Sequence, residues 1–199
     1  QAILPIRGKI LNVASAPRDK IAANSEISDI NQALGCGNRD KFELKHLRYE
    51  KIIIMTDADV DGAHIATLLM TFFYQEMKGL VEAGRLFLAQ PPLFRIAQKG
   101  VVHYARDDQH KKELLESEFT GKAKIEISRF KGLGEMPPAQ LKQTTMNPET
   151  RTLLRVALPD DYQGQNETIR LVEDLMGKKP EKRYNFIQAN ADKVEDLDI

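Results

Sequence analysis

The feature that most constrains the fold is an apolar, β-branched run that ends in three closely spaced carboxylates. Lys51-Ile-Ile-Ile-Met-Thr56 is followed at once by Asp57-Ala-Asp-Val-Asp-Gly62. A continuous apolar run of this kind is typical of a strand that is buried on both faces of a parallel sheet. Residues 63–83 place apolar side chains at helical spacing, and Arg85-Leu-Phe-Leu-Ala89 predicts a second strand. Strand, helix and strand in this order predict a right-handed βαβ unit, so the first half of the chain is α/β.

The second half of the chain has the pattern of a smaller α+β region. Strand-like segments at 93–97 and 101–104 flank Gln98-Lys-Gly100, which predicts a hairpin with glycine in its turn. Further strands are predicted at 124–130 and 153–158, and helices at 107–118, 165–176 and 181–190. The Pro91-Pro92 pair is the predicted boundary, with one domain over residues 1–92 and a tail region over residues 93–199.

A helix is also predicted before the first strand, with Ser25 as its N-cap and Gly35 as its end. Cys36 follows between two glycines and is expected to be a small buried thiol.

Composition excludes several classes of protein. The chain has 199 residues, of which 42% are hydrophobic and 29% charged, so it is expected to be globular, with one large domain or two small ones. Its apolar runs fall far short of the roughly 20 residues that a membrane helix needs, and no signal peptide is visible. A single cysteine excludes an internal disulfide. The net charge of zero does not exclude a nucleic-acid partner, because basic residues cluster locally, as between Lys178 and Arg183.

The three carboxylates require an explanation, because side chains of like charge repel one another unless a cation neutralises them. Asp57, Asp59 and Asp61 follow a predicted strand, and the carboxyl ends of such strands are where open α/β sheets bind ligands. An acidic turn with no ligand is the alternative. A calcium loop fits poorly, because Leu68 stands where a closing Glu is needed and a strand precedes the motif. Magnesium fits better, since one or two carboxylates, water and substrate phosphate hold it.

Met55-Thr-Asp-Ala-Asp-Val-Asp-Gly62, followed by His64, resembles the second acidic motif of the TOPRIM fold in bacterial type IIA topoisomerases. Other segments resemble the B subunits of DNA gyrase and topoisomerase IV, and they occur in family order: Pro5-Ile-Arg-Gly-Lys-Ile-Leu-Asn-Val13, Ala89-Gln-Pro-Pro-Leu93, Arg129-Phe-Lys-Gly-Leu-Gly-Glu-Met136, Thr144-Thr-Met-Asn-Pro148 and Arg183-Tyr-Asn-Phe-Ile187. The segments Ser128-Arg-Phe-Lys131 and Tyr104-Ala-Arg-Asp107 resemble topoisomerase IV more than gyrase. The resemblance implies a Rossmann-like parallel TOPRIM sheet, lacking its first strand, followed by a smaller α+β tail.

The resemblance also implies DNA strand passage, in which a tyrosine of a partner subunit attacks a backbone phosphate and magnesium held by this chain assists. The family motifs place the metal at Asp57, Asp59 and Asp61, DNA contacts at Lys9, Asn12, His64, Lys131 and Arg183, and a quinolone-sensitive segment at Arg7. The Glu-Gly-Asp-Ser-Ala strand of the family, whose Glu is the presumed general acid/base, does not occur in this sequence. No catalytic residue is therefore predicted within the chain, which begins with Gln1 and is expected to be a fragment that is inactive alone.

The partners that the resemblance implies are double-stranded DNA and a topoisomerase A subunit, in an A2B2 heterotetramer. The expected cofactor is Mg²⁺, with ATP bound by a part of the full-length protein that this sequence does not contain. The expected location is cytoplasmic and associated with the chromosome, with no membrane partner. Three alternatives stay open: a DNA gyrase B subunit, a TOPRIM nuclease or primase, and an assembly module without a catalytic role.

Overall fold

The computed structural model describes residues 1–119 and 123–193. They divide into two compact units. The first unit is formed by Gln1–Glu50, Thr67–Arg85 and the described part of Val156–Ile199, and the second by Lys51–Ala66 and Leu86–Arg155. No helix in the described ranges combines the length and apolar character needed to span a membrane.

The second unit contains a three-stranded mixed sheet. Strand β1 (Ile52–Ile54) pairs in parallel with β2 (Leu86–Gln90), with Ile53 opposite Phe87. This pairing confirms the predicted parallel strands and places the acidic segment after the carboxyl end of β1. The other neighbour of β2 is the antiparallel β6 (Thr152–Arg155), which is shorter than the predicted strand at 153–158. The mixed α/β fold class is thereby confirmed, although the sheet holds only one parallel pair.

A second, antiparallel sheet has the order β4-β3-β5, formed by Val101–Ala105, Phe94–Gln98 and Glu126–Arg129. The predicted hairpin is present, and its turn residues Lys99 and Gly100 have φ values of +50° and +87°. Two successive left-handed residues are characteristic of the turns that match strand twist in two-residue hairpins. The side chains that form the core of this sheet are Phe94, Ile96, Ala105 and Phe119.

Helical segments complete the second unit. The N-cap of helix α5 (Asp108–Ser117) is Asp107, whose side chain accepts a hydrogen bond from the His110 N–H at 2.7 Å. A one-turn helix α6 (Pro138–Leu141) continues directly into a π-helical turn at Lys142–Met146.

The first unit is helical. Its elements are α1 (Arg18–Ala22), α2 (Ser25–Leu34), the later part of α3 (Val60–Glu76), α4 (Lys78–Glu82), α7 (Tyr162–Met176) and α8 (Pro180–Asn190). Apolar side chains that are less than 2% exposed form its centre, and they include Ile27, Phe72, Met77 and Leu80.

Two details of these helices differ from the sequence-based expectations. The single helix expected over 63–83 is divided at Met77, whose φ of −140° is not helical. Gly79 in the second piece lies close to Phe42, and a Cβ there would come within 2.6 Å of the ring. The N-cap of α2 is Asn24, not Ser25, because the Asn24 side chain accepts the hydrogen bond from the Ile27 N–H. Gly35 ends α2 with a left-handed φ of +71°, as predicted.

Candidate metal centre and nucleic-acid contacts

The acidic segment begins where β1 ends and continues into the first turn of α3. The Gly62 N–H donates a hydrogen bond of 2.6 Å to the Asp59 side chain, and the Ala63 N–H donates to the Asp59 carbonyl oxygen at 2.9 Å. Asp59 therefore caps α3, where a carboxylate also meets the positive end of the helix dipole. A Cβ at Gly62 would lie 2.1 Å from the Asp57 carbonyl oxygen, so glycine is needed for the helix to begin this close to Asp57.

The Asp57 side chain is held by a loop from the later part of the same unit. Its Oδ1 accepts a hydrogen bond of 2.7 Å from the backbone N–H of Leu133. The neighbouring Gly132 lies against the carboxylate, and a Cβ there would stand 3.0–3.1 Å from the three carboxyl atoms of Asp57. The loop therefore fixes the orientation of a carboxylate that is otherwise exposed to solvent.

The loop that contacts Asp57 is itself closed by an acidic side chain. The Lys131 N–H donates to Glu135 Oε2 at 2.7 Å, and the Glu135 N–H donates to the Gly132 carbonyl oxygen at 3.2 Å. The Lys131 side chain is exposed, so its ammonium group is accessible to solvent at the start of the loop that orients Asp57. Two separate sequence motifs, the acidic segment and Lys131–Glu135, thus meet at one place.

The donor set fits a magnesium ion better than a closed metal cage. Within residues 1–119 and 123–193, no three side chains of the His, Cys, Asp or Glu type form a group that could hold a metal ion. Asp57 and Asp59 each use Oδ1 for a backbone hydrogen bond and have an exposed side chain. Mg²⁺ commonly takes one or two carboxylates and completes its octahedral coordination with water and substrate oxygens. Two oriented carboxylates at the end of a strand satisfy that requirement.

Asp61 and His64 lie in the first two turns of α3, and both are exposed. Asp61 is the acidic residue of the first turn, where negative charge is favourable. A role for Asp61 in metal binding and a DNA contact by His64 stay predictions.

In the first unit, Arg7 and Lys9 are carried by an irregular segment that precedes α1. Both side chains are exposed, and Gly8 between them has a φ of +82°. The pKa of Glu26 in α2 is lowered, first by a hydrogen bond from its own backbone and least by the charge of Arg7. The DNA contact predicted for Lys9 and the drug-adjacent position predicted for Arg7 stay predictions.

Asn12 and Arg183 are brought together at the C-terminal end of α7. Asn12 Nδ2 donates to the Met176 carbonyl oxygen at 2.8 Å, and Arg183 Nη1 donates to the carbonyl oxygens of Leu175 and Gly177 at 3.3 and 2.8 Å. Both side chains were predicted to contact DNA, and the structure shows that they are engaged within the protein.

Two features, one in each unit, were not recognised from the sequence. The first is the contact between Asp57 and the backbone of Leu133, for which the Gly-Leu-Gly loop was the available signal. The second is a bidentate ion pair between Arg39 and Glu76, whose side chains are 34% and 2% exposed. The hydrogen bonds that Arg39 donates to the Glu76 carboxylate raise the pKa of Arg39. Glu76 lies at helical spacing from the apolar Phe72 and Phe73, and this position on the apolar face of the helix was the signal for a buried partner.

Comparison with known families assigns both halves of the chain. Residues 1–91 match the Toprim domain, and residues 122–188 match the carboxyl terminus of the DNA gyrase B subunit. The chain belongs to the type II topoisomerase B subunits. The Toprim match includes the acidic segment, and the gyrase B match includes the loop that orients Asp57.

Named relatives of this B-subunit family cover the whole chain. The B subunit of DNA topoisomerase 4 from Bartonella bacilliformis is 63% identical over 199 residues, and that from Caulobacter vibrioides is 60% identical over 200 residues. The B subunit of DNA gyrase from Halalkalibacterium halodurans is 53% identical over 199 residues. Each alignment covers 100% of this chain, which spans 28% of the two topoisomerase 4 proteins and 30% of the gyrase protein.

Proposed function

We propose that this chain supplies the magnesium-binding and DNA-binding part of an ATP-dependent type II topoisomerase, the enzyme class that passes one DNA duplex through another. The observation that carries the proposal is the pair of carboxylates, Asp57 and Asp59, that follows the parallel strand β1 and is oriented by backbone N–H groups. Toprim domains of type II topoisomerases bind Mg²⁺, which supports the assignment of the ion.

In the proposed site, Asp57 and Asp59 would hold Mg²⁺, with the charge of Asp61 adding to the local field. When bound, the ion would stabilise negative charge on the phosphate during cleavage by a tyrosine of the A subunit. The Leu133 N–H keeps Asp57 facing the site, and the α3 cap does the same for Asp59. No residue of this chain is assigned as the nucleophile or as the general acid/base.

The proposed DNA contacts are made by exposed basic side chains. Lys9 and Lys131 present exposed ammonium groups, and His64 is exposed on α3. Contacts of this kind to phosphates position a duplex without reading its sequence. Topoisomerase IV B subunits act with an A subunit and DNA, and we propose the same partners, in an A2B2 assembly on the chromosome, for this protein.

Among type II enzymes we propose topoisomerase IV. The relatives with that name include sequences that are 63% and 60% identical to this chain, whereas the gyrase relative from Halalkalibacterium halodurans is 53% identical. A DNA gyrase B subunit is the second candidate, because the same motifs serve both enzymes. Decatenation measured against supercoiling by the reconstituted complex distinguishes the two.

The test compares wild type with Asp57→Asn in the full-length B subunit combined with its A subunit. Cleaved DNA is trapped with a quinolone and quantified across a magnesium titration. Asparagine keeps an acceptor for the Leu133 N–H and removes the charge, so we expect cleavage to fall and to recover partly at high metal concentration. Asp160→Asn, at an exposed site in the other unit, is the matched control and should cleave as wild type.

Undiminished cleavage by Asp57→Asn would mean that the acidic segment is structural, and the metal assignment would be wrong. Cleavage in the absence of any A subunit would instead favour a TOPRIM nuclease. An Asp57→Asn protein with unchanged metal affinity and unchanged complex activity would favour an assembly role.

A further inference from the structure

The C-terminal end of α7 is closed by side chains rather than by the usual left-handed residue. The last four carbonyl oxygens of an α-helix have no partner within the helix. Many helices satisfy them with a glycine of positive φ, but Gly177 has a φ of −70° and a ψ of 177°. Glycine is needed here for space, because a Cβ would lie 2.2 Å from the Glu173 carbonyl oxygen.

One residue near the start of the chain and one residue of α8 provide the missing donors. Asn12 Nδ2 donates to Met176 at 2.8 Å, across 164 positions of sequence. Arg183 Nη1 donates to the carbonyl oxygens of Leu175 and Gly177, which lie on either side of Met176. Three consecutive carbonyl groups are therefore held by one carboxamide and one guanidinium.

The same carboxamide also organises the segment that carries the basic residues. Asn12 Oδ1 accepts a hydrogen bond of 3.0 Å from the Ala14 N–H, and the Asn12 carbonyl oxygen accepts from the N–H groups of Ser15 and Ala16. Asn12 is thus the point at which the segment with Arg7 and Lys9 turns towards α1 and is attached to α7.

We propose that Asn12 and Arg183 are positioning residues for the DNA-binding surface. Together they form a clamp, here defined as Asn12, Arg183 and the carbonyl groups of residues 175–177. The clamp attaches the segment bearing Lys9 to the α7–α8 hairpin. The DNA part of this proposal rests on the function proposed above, whereas the clamp itself does not.

The hydrogen bonds favour positioning over direct DNA contact. Asn12 Oδ1 accepts from the Ala14 N–H and Nδ2 donates one of its two hydrogens to the Met176 carbonyl oxygen, so the carboxamide is oriented by partners inside the protein and keeps a single hydrogen for any other partner. Arg183 is partly buried, and its neighbour Lys182, which is 43% exposed in its side chain, pairs with Asp174 at 2.6 Å. Lys182 therefore offers a matched position of the same charge outside the clamp.

The first experiment measures hydrogen exchange at individual amides in Arg183→Lys, Asn12→Asp and the control Lys182→Gln. At position 183, lysine keeps the positive charge but lacks the forked donor that reaches two carbonyl groups. At position 12, aspartate keeps the acceptor for the Ala14 N–H but places an oxygen, in place of the Nδ2 donor, opposite the Met176 carbonyl oxygen. We expect the amides of Ala14, Ser15 and Ala16 to exchange about tenfold faster in both clamp variants, because tenfold corresponds to about 1.4 kcal/mol, the order of one lost hydrogen bond. Amides in α2 should keep wild-type rates, which excludes global destabilisation.

Unchanged exchange at Ala14–Ala16 in Arg183→Lys would overturn the clamp, because Arg183 donates to Leu175 and Gly177 and can influence those amides only through the clamp. An equal increase in Lys182→Gln would overturn it as well. If either clamp variant unfolds, the milder Asn12→Ser, which keeps a short donor, is measured instead against the same reporters.

The second experiment measures duplex DNA binding by the intact A–B complex as a function of salt. Removing one phosphate-binding cation from the protein reduces the slope of log K against log salt by about one. We expect Lys9→Gln to reduce that slope, and Arg183→Lys to weaken binding about tenfold at every salt concentration with the slope retained. In a Lys9→Gln background, the effect of Arg183→Lys should become smaller.

Near-normal binding by Arg183→Lys, together with a slope reduced by about one in Arg183→Gln, would identify Arg183 as a phosphate ligand and overturn its positioning role. If neither Lys9→Gln nor the clamp variants change DNA binding, the proposed DNA surface is wrong. The exchange experiment then still decides whether the clamp exists.

Discussion

The carboxylate of Asp57 accepts a hydrogen bond of 2.7 Å from the backbone N–H of Leu133, which lies 76 positions later in the chain. This bond joins the end of β1 to the loop that follows β5. Because the donor belongs to the backbone, no replacement at Leu133 except proline removes it. The loop can come this close because residue 132 is a glycine. A side chain at this position would have no room next to the carboxyl group of Asp57.

Replacing Gly132 by alanine should therefore weaken metal binding without removing any ligand. The added Cβ would stand 3.0–3.1 Å from the carboxyl atoms of Asp57, so the loop or the carboxylate must shift. Loss of a group that orients a ligand typically lowers metal affinity by about 10–100-fold. Titration with Mn²⁺, followed by electron paramagnetic resonance, measures the change directly and does not depend on DNA cleavage.

Gly134→Ala is the matched control for that experiment. Gly134 belongs to the same loop as Gly132, but a Cβ at Gly134 would have no atom within 4 Å and would therefore disturb no contact. We expect wild-type Mn²⁺ affinity in this variant. Equal losses in the two variants would show that general loop flexibility, rather than contact with Asp57, is responsible.

Asp59 should reveal two separable roles, one in the helix and one in metal binding. Asparagine is as good an N-cap as aspartate, so Asp59→Asn should change the free energy of unfolding by only a few tenths of a kcal/mol, whereas Asp59→Ala should lower it by about 1 kcal/mol. Both variants lose the charge and should bind Mn²⁺ more weakly. Urea denaturation and metal titration of the same samples test both statements. Full metal affinity in Asp59→Asn would leave Asp59 with the capping role alone.

The local elements were predictable because their signals are short-range. The β1–helix–β2 order, the hairpin at Lys99 and Gly100, and the end of α2 at Gly35 all follow from residues within a few positions of one another. The division of the long helix at Met77 was not predictable in this way. It coincides with the contact between Gly79 and Phe42, and the apolar periodicity of the helix carries no information about that partner.

The candidate site was predicted only in part, for the same reason. The acidic residues and Lys131 were found by motif, but the bond from Leu133 to Asp57 joins distant backbone and side-chain groups that no pattern connects. Asn12 and Arg183 were predicted to be DNA contacts because they lie in segments that resemble motifs of the family. Their hydrogen bonds to α7 arise from the unsatisfied end of a helix, which becomes evident only when the fold is known.

Cys36 should make the stability of the protein depend on pH in the alkaline range. The residue is 1% exposed, and burial raises the pKa of its thiol. A raised pKa in the folded state gives stability that is complete below the unfolded pKa of about 8.5 and is lost as pH rises through the folded pKa. Between those two values the free energy of unfolding should fall by up to about 1.4 kcal/mol per pH unit more in wild type than in Cys36→Ala. Denaturation curves collected from pH 7 to pH 10 test this, and parallel profiles for the two proteins would contradict it.

The ion pair between Arg39 and Glu76 should respond unequally to the loss of either partner. The Glu76 side chain is 2% exposed and would remain as a buried, uncompensated charge in Arg39→Met, so we expect a loss of about 3–5 kcal/mol in the free energy of unfolding. The Arg39 side chain is 34% exposed and can reach water, so Glu76→Gln should cost less, about 1–3 kcal/mol. Urea denaturation measures both, with Glu82→Gln as the control, because its pairing with Lys78 at 3.0 Å is exposed and should contribute at most about 0.5 kcal/mol. Equal losses in the two pair variants would show that the bidentate geometry itself, and not the unequal burial of the two charges, determines the cost of breaking the pair.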